Sequence, residues 1–125
     1  MSVVYDAGAL MAAERNDRRL WAEHPVRLEM GVIPITTAPV IAQTSRTSRQ
    51  VQLWRLLHGC DVVAFTADQA HDVGALLARA GLSDIVDAHV ALIAAVRQAT
   101  VLTSDPDDFA TRAEHLPRRF AIQIV

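Results

Sequence analysis

The sequence has a single cysteine and contains no long apolar run. Cys60 cannot form an intramolecular disulfide, and the chain shows no Cys/His spacing of the kind that binds structural zinc. No stretch approaches the roughly 18 apolar residues of a membrane-spanning helix, and the N-terminus lacks the basic and apolar segments of a signal peptide. These absences favour a reducing compartment, and we predict a cytoplasmic protein without a membrane partner.

Charge is also sparse, and neither sign dominates. Charged residues make up 21% of the chain and the formal net charge is -2. This balance predicts no broad affinity for nucleic acid, although it leaves room for a local basic patch beside an acidic site. Hydrophobic residues make up 51% of the 125 residues, which is enough to bury a core. We therefore expect one folded domain over residues 1–125.

Short strands alternating with longer helices predict an α/β fold. The strand candidates are residues 2–5, 32–35, 61–65, 100–103 and 120–125. Such alternation is typical of a central, mostly parallel sheet with helices on both faces. Pro25 is expected to break the helical segment 16–30 into two helices. Ser83 is expected to cap the helix that follows Gly81.

Aspartates stand at the ends of two predicted strands and on one predicted helix. Asp6 closes the first strand, and residues 105–108 follow the fourth. Because ligands of parallel sheets bind beyond the carboxyl ends of the strands, both positions suit a functional site. Asp84 and Asp87 lie three residues apart on a helix, and neighbouring carboxylates repel unless a cation or a proton relieves them. We predict that these acids converge.

Most of these acids also have a purely structural explanation. Asp84 suits the first turn of its helix, where the helix dipole favours negative charge. Asp6 can cap the helix that follows it, and Asp105 before a proline is a natural N-cap. Asp107 is expected to point to water. Asp87 is harder to explain in this way, because its helix neighbours are apolar and an unpaired charge among them is costly.

Clustered carboxylates are the ligands that Mg²⁺ and Mn²⁺ prefer. A divalent ion held in this way activates a water for phosphodiester hydrolysis without a side-chain nucleophile. The sequence has no Gly-rich phosphate loop, no G-x-S-x-G elbow and no His-Glu metalloprotease motif. His89 is two residues from Asp87 and should therefore face helix packing or solvent. A carboxylate site alone leaves open RNA hydrolysis, DNA hydrolysis and phosphatase chemistry.

Four motifs in order resemble one known family. The segments VVYDAGAL, APVIAQ, SDIVDAHVALIAA and VLTSDPDDF are similar to those of the PIN domain, specifically the toxin subunits of VapBC-type toxin-antitoxin modules. The similarity spans nearly the whole chain. It implies a three-layer fold and a metal-dependent endoribonuclease that uses Mg²⁺ or Mn²⁺. It also implies a homodimer whose action on RNA is neutralised by a cognate antitoxin.

The resemblance also assigns roles to individual residues. The acids that would serve catalysis and bind the metal are Asp6, Asp87 and Asp105. Asp84 and Asp108 match further acids that would assist metal binding. Thr103 or Ser104 stands where the family often has a hydroxyl that bonds a carboxylate or a water.

The sequence departs from the family at its second acid. The usual glutamate is matched by Gln43, which is neutral and should weaken metal binding. This departure leaves an alternative function, a PIN-like binding module whose nuclease activity is weakened or lost. Arg46, Arg49 and Arg55 are candidates for contacting the RNA backbone, with a solvated helix face as their ordinary explanation.

Overall fold

Five strands form one sheet in the computed structural model, which describes residues 1–116 and 120–125. The strands are β1 Val3–Tyr5, β2 Ile35–Thr37, β3 Asp61–Val63, β4 Thr100–Thr103 and β5 Ala121–Ile124. Their spatial order is β3-β2-β1-β4-β5, and every neighbouring pair is parallel. The α/β prediction is confirmed, and the sheet is wholly parallel where a mostly parallel one was expected.

Seven helices cover the sheet in the described part of the chain. They are α1 Ala7–Glu14, α2 Arg18–Glu29, α3 Ala38–Thr44, α4 Val51–Leu57, α5 Ala67–Ala80, α6 Ile85–Arg97 and α7 Pro106–Glu114. The chain moves outward from β1 to β3 and then crosses to β4 and β5 on the other side. Right-handed crossovers therefore place α1 to α4 on one face and α5 to α7 on the other. Contacts follow this division, since α1 packs on α2, α3 and α4, and α6 packs on α5 and α7.

The central strands lie between these two helical layers. All three residues of β1 are buried, as expected for an apolar strand covered on both faces. Leu10 and Leu53 belong to the core on the α1 side, and Leu76 and Val90 belong to it on the α6 side. The carboxyl ends of the strands thus lie on the same side of the molecule, where the loops to the following helices begin. No helix in residues 1–116 or 120–125 is long and apolar enough to cross a membrane.

Pro25 does not break its helix, so the prediction of two helices over residues 16–30 was wrong. Helix α2 runs without interruption from Arg18 to Glu29. A proline removes only its own N–H donor, and tertiary packing can hold a helix through that loss. Leu20 and His24 are buried on the inner face of α2. Asp17 caps the helix by accepting a hydrogen bond from the Leu20 N–H at 3.0 Å.

Other boundaries also differ from the predictions, and β3, for example, ends at Val63 rather than at residue 65. Strand β2 begins at Ile35 rather than residue 32, and Pro34 precedes it because proline has no N–H for the ladder. The Pro34 carbonyl instead accepts a hydrogen bond from the Asp61 N–H at 2.8 Å. Helix α6 is capped by Asp84, not by Ser83. The capping residue is therefore one of the two aspartates predicted to lie on this helix.

A buried contact between the side chains of Tyr5 and His24 links β1 to α2. The Tyr5 hydroxyl lies 2.9 Å from Nδ1 of His24 and accepts a hydrogen bond from Arg27 at 3.1 Å. Burial raises the pKa of Tyr5 to about 12. Burial, together with the charges of Arg27 and Arg55, lowers the pKa of His24 below its ordinary 6.5. The folded protein therefore favours neutral forms of both side chains.

His24 should make folding stability sensitive to acid. Its pKa is lower in the folded state than in the unfolded state, so its contribution is complete above pH 6.5 and is lost as pH falls through the folded pKa. Urea unfolding of wild type and His24→Gln at about pH 8 and about pH 5 measures this contribution. The stability advantage of wild type over the variant should shrink at the lower pH. An advantage of the same size at both values would contradict the prediction.

Candidate active site

Asp6 joins the end of β1 to the start of α1. Its Oδ1 accepts hydrogen bonds from the backbone N–H groups of Gly8, at 2.8 Å, and Ala9, at 3.4 Å. Its Oδ2 accepts one from the Thr103 hydroxyl at 2.6 Å. Burial outweighs these hydrogen bonds and raises the pKa of Asp6. Asp6 is thus a helix cap as well as a buried carboxylate, and Oδ2 keeps acceptor capacity for a further partner.

A close contact between the first turn of α1 and the loop after β4 positions Asp6 beside the end of β4. A Cβ atom added to Gly8 would lie 2.7 Å from the backbone nitrogen of Ser104, a separation that real Cβ atoms essentially never show. Only glycine permits this approach. The buried Thr103 hydroxyl also accepts a hydrogen bond from the Asp105 N–H at 2.9 Å. Thr103 therefore connects Asp6 to Asp105, whereas Ser104 is exposed.

Asp87 lies in the first turn of α6 and responds to the charges of the other acids. The Asp84 side chain caps the helix by accepting a hydrogen bond from the Asp87 N–H at 3.1 Å. Burial first, then the charge of Asp84, and to a smaller extent the charges of Asp6 and Asp108, raise the pKa of Asp87 to about 6. The opposing charge of Arg112 lowers it. The charges of the helical acid Asp84 and of Asp6 and Asp108 thus act on Asp87.

Asp105 and Asp108 form the exposed side of this group. Asp105 occupies the N-cap position of α7 but makes no capping hydrogen bond, so the structural explanation offered for it does not hold. A hydrogen bond with Asp108 raises the pKa of Asp105, and the charges of Asp108 and Asp107 add to this shift. Asp107 is exposed, as expected. The loop after β4 therefore adds acceptor oxygens next to Asp6 and Asp87.

Arg112 is part of this group, and the sequence analysis missed it. The Arg112 side chain is 3% exposed, and its Nη2 lies 3.9 Å from Oδ2 of Asp87. Its Nη1 donates a hydrogen bond to the Asp108 carbonyl at 2.8 Å. The spacing of four residues from Asp108 places both on one face of α7, and this was the available signal. We refer to Asp6, Asp84, Asp87, Asp105 and Asp108 as the acidic cluster, with Arg112 beside it.

The other candidate residues lie on α3, on α4 and in the segment between them. Gln43 is exposed near the end of α3, and Arg46 and Arg49 are exposed in the segment that follows. Arg55 lies over the Trp21 ring, with its guanidinium carbon 4.3 Å from the ring centroid, and so links α4 to α2. Within the described residues, no hydrogen bond or ion pair joins any of these four side chains to the cluster. Their roles stay predictions.

His89 takes part in helix packing, as expected. Its ring is fully buried and stacks on Phe65 with 4.6 Å between ring centroids. Its Nε2 lies 3.0 Å from the Gln69 side-chain oxygen. Burial lowers the pKa of His89. The histidine thus fixes α6 against the start of α5 rather than adding a ligand to the acids.

The donor chemistry of the acidic cluster fits a hard divalent cation. Its side chains offer carboxylate oxygens. After burial, the charges of neighbouring acids also raise the pKa of Asp87, and a cation would relieve this repulsion. Over residues 1–116 and 120–125, however, no three His, Cys, Asp or Glu side chains are already arranged as a metal-binding group.

Comparison with known families identifies the chain. The family model of the PIN domain matches residues 3–115. The chain belongs to the PIN domain family. No curated protein matches the sequence of this PIN domain.

Solved structures share the fold of this PIN domain at low sequence identity. VapBC2 from Rickettsia felis, bound to a DNA fragment from its promoter, has a TM-score of 0.68 at 15% identity and covers 100% of this chain and 99% of its own. PAE2754 from Pyrobaculum aerophilum has a TM-score of 0.64 at 18% identity, covering 89% and 87%. FitAB bound to the IR36 DNA fragment has a TM-score of 0.65 at 14% identity, covering 98% and 94%. These similarities establish a common fold.

Proposed function

We propose that this PIN domain is a metal-dependent endoribonuclease of the toxin-antitoxin type. The proposal is supported by the acidic cluster, in which the Thr103 hydroxyl bonds Asp6 and the charges of Asp6, Asp84 and Asp108 act on Asp87. Ligands of parallel sheets bind beyond the carboxyl ends of the strands, where Asp6 and the β4–α7 loop lie. The PIN family assignment supports nuclease chemistry. RNA as the substrate follows the resemblance to VapC-type toxins.

In this proposal, Asp6, Asp87 and Asp105 would hold Mg²⁺ or Mn²⁺, with Asp84 and Asp108 assisting. When bound, the cation would lower the pKa of a water and offset charge on the scissile phosphate. Thr103 orients the Asp6 carboxylate and the backbone of Asp105 at the same time.

Asp84 supports the proposed site from the start of α6. By accepting the Asp87 N–H, it holds the first turn of this helix and fixes where the Asp87 backbone lies. The cap therefore controls how the Asp87 carboxylate enters the cluster. An aspartate in this position adds negative charge as well as the capping hydrogen bond.

A cognate antitoxin is the proposed protein partner. Two of the similar folds occur in the complexes VapBC2 and FitAB, each bound to DNA. Exposed apolar side chains on α2 and α4, including Val26, Val51 and Trp54, offer a surface for an antitoxin or for a second copy in a homodimer. Arg46, Arg49 and Arg55 remain the proposed contacts to the RNA backbone, because phosphate contacts position a nucleic acid on its protein.

RNA cleavage that depends on a divalent ion is the expected result. Purified protein should cleave RNA in Mn²⁺, lose this activity in a chelator, and lose it after Asp87→Asn. Asp68→Asn is the matched control, because Asp68 is also a helix-start acid but lies on α5. Gel analysis of the products measures both rate and cleavage position. Cleavage that persists in the Asp87→Asn protein would contradict the proposal.

A binding module without nuclease activity is the second candidate. Gln43 is neutral and exposed, and no three acids are gathered for a metal in the described residues. The same assay separates the two functions. RNA binding without cleavage in Mg²⁺ and Mn²⁺ would favour the binding module, and cleavage of DNA alone would favour a DNA nuclease.

A further inference from the structure

Arg112 brings a fixed positive charge to the acidic cluster from α7. Its Nη1 is anchored by the hydrogen bond to the Asp108 carbonyl at 2.8 Å, and its guanidinium carbon lies 5.9 Å from the Phe109 ring centroid. Arginine stays protonated even when buried. This charge therefore cannot be removed by loss of a proton, and it lies permanently next to Asp87.

The contact between Arg112 and Asp87 is an ion pair without a hydrogen bond. The 3.9 Å between Nη2 and Oδ2 exceeds hydrogen-bond distance. The buried Nε of Arg112 has no partner among the described residues, although arginine usually binds carboxylates through two parallel hydrogen bonds. The guanidinium is therefore held by its own helix turn and by packing, while Asp87 retains lone pairs that another cation could use.

A divalent cation at Asp87 would meet this guanidinium at short range. Two cations that share one carboxylate repel each other, and the repulsion is strong where solvent is partly excluded. The guanidinium Nη2 of Arg112 lies 3.9 Å from Oδ2 of Asp87, so its charge acts on that carboxylate. Each unit of positive charge at this position should therefore weaken binding of the metal.

We propose that Arg112 is an internal counter-cation that competes with the divalent cation for Asp87 and so limits how tightly the acidic cluster binds metal. The inference rests on the proposed function in one respect, namely that the cluster binds a divalent cation. The charge of Arg112 would add to the weaker metal binding predicted for Gln43. A neutral residue in place of the usual glutamate and a positive charge beside Asp87 both make the site less negative.

Direct binding of Mn²⁺ tests the proposal without measuring nuclease activity. Isothermal titration calorimetry would compare wild type with Arg112→Gln, which removes the charge, and Arg112→Lys, which keeps it. Arg97→Gln is the control, because Arg97 forms an exposed ion pair with Asp61 at the start of β3. Arg112→Gln should bind Mn²⁺ roughly tenfold more tightly than wild type. The lysine variant and the Arg97 control should bind like wild type.

Several results would overturn the proposal. Equal or weaker Mn²⁺ binding by Arg112→Gln would mean that Arg112 orients Asp87 rather than competing for it, and the proposed nuclease would still stand. Failure of all the proteins to bind Mn²⁺ would reject both the competition and the proposed function. Tighter binding by Arg112→Gln in a protein that cleaves no RNA would support the competition and reject the nuclease.

A second measurement covers the case in which Arg112→Gln does not fold. Nuclear magnetic resonance of wild type can follow the ¹⁵Nε signal of Arg112 during titration with Mg²⁺. Competition predicts that this signal shifts as Asp87 exchanges the guanidinium for the metal. A signal that stays in place while backbone signals of the acidic cluster shift would overturn the proposal.

Discussion

Replacing Asp6 by asparagine is expected to reduce RNA cleavage by at least about 100-fold, because loss of a metal ligand should exceed the roughly 10- to 100-fold cost of losing an outer-shell partner. Folding should change by less than about 1 kcal/mol, the size of one ordinary hydrogen bond. The amide oxygen can still accept from the Gly8 N–H, and the neutral side chain avoids the burial cost that raises the pKa of Asp6. A large loss of activity with little loss of stability is characteristic of a functional residue.

Asp61→Asn is the matched control for Asp6→Asn. Asp61 begins β3, whereas Asp6 follows β1. In a parallel sheet, Asp61 therefore lies on the side of the strands' amino ends and Asp6 on the side of their carboxyl ends. Cleavage rates and urea unfolding of the two variants should be measured together. Equal activity in both variants, or a loss of activity in Asp6→Asn that matches a loss of folded protein, would contradict a role for Asp6 in the chemistry.

Gly8→Ala is expected to destabilise the fold by about 1–3 kcal/mol, the usual cost of forcing an extra carbon into a packed region. The added Cβ would meet the Ser104 backbone, which cannot rotate away as a flexible side chain can. The β4–α7 loop would have to move away from Asp6. Cleavage should therefore fall even at temperatures where the variant is still folded, because the Thr103 hydroxyl would leave Asp6 with that loop.

Gly74→Ala is the control, and it is expected to stabilise the fold rather than destabilise it. Gly74 lies inside α5, and an added Cβ there would meet nothing within 4 Å. The alanine should stabilise the protein by about 0.5–1 kcal/mol through helix propensity. Thermal unfolding of both variants provides the comparison. If Gly8→Ala also raised the unfolding temperature, the close approach to Ser104 would not constrain the loop.

The layout of the fold was predictable because each element carries a local signal. The predicted strand at residues 100–103 matches β4 residue for residue. The periodic segment after Gly81 corresponds to α6. The errors arose where packing overrides local preference. Helix α2 continues through Pro25 because its inner face is buried, and β2 shifted because the strand pairs only after Pro34.

The link between Asp6 and the loop that carries Asp105 was also predictable, since the carboxyl ends of neighbouring parallel strands lie side by side. What the sequence alone could not supply was the set of contacts between distant segments. Two such contacts depend on how these segments pack. One is the close contact between Gly8 and Ser104, and the other is the ion pair between Arg112 and Asp87. The choice of Thr103 over Ser104 as the hydroxyl that bonds Asp6 depends on the orientation of the last residue of β4.

The hydrogen bond from Thr103 to Asp6 joins residues 97 positions apart in the chain, and this separation affects when the protein becomes active during synthesis. A ribosome makes Asp6 early and Thr103 late, so a nascent chain has the first half of the site without the second. Contacts between distant residues form slowly because long loops must close first. A chain released before β4 is made would lack Thr103, Asp105 and Asp108. The acidic cluster of the proposed nuclease would therefore be complete only after most of the protein had been made.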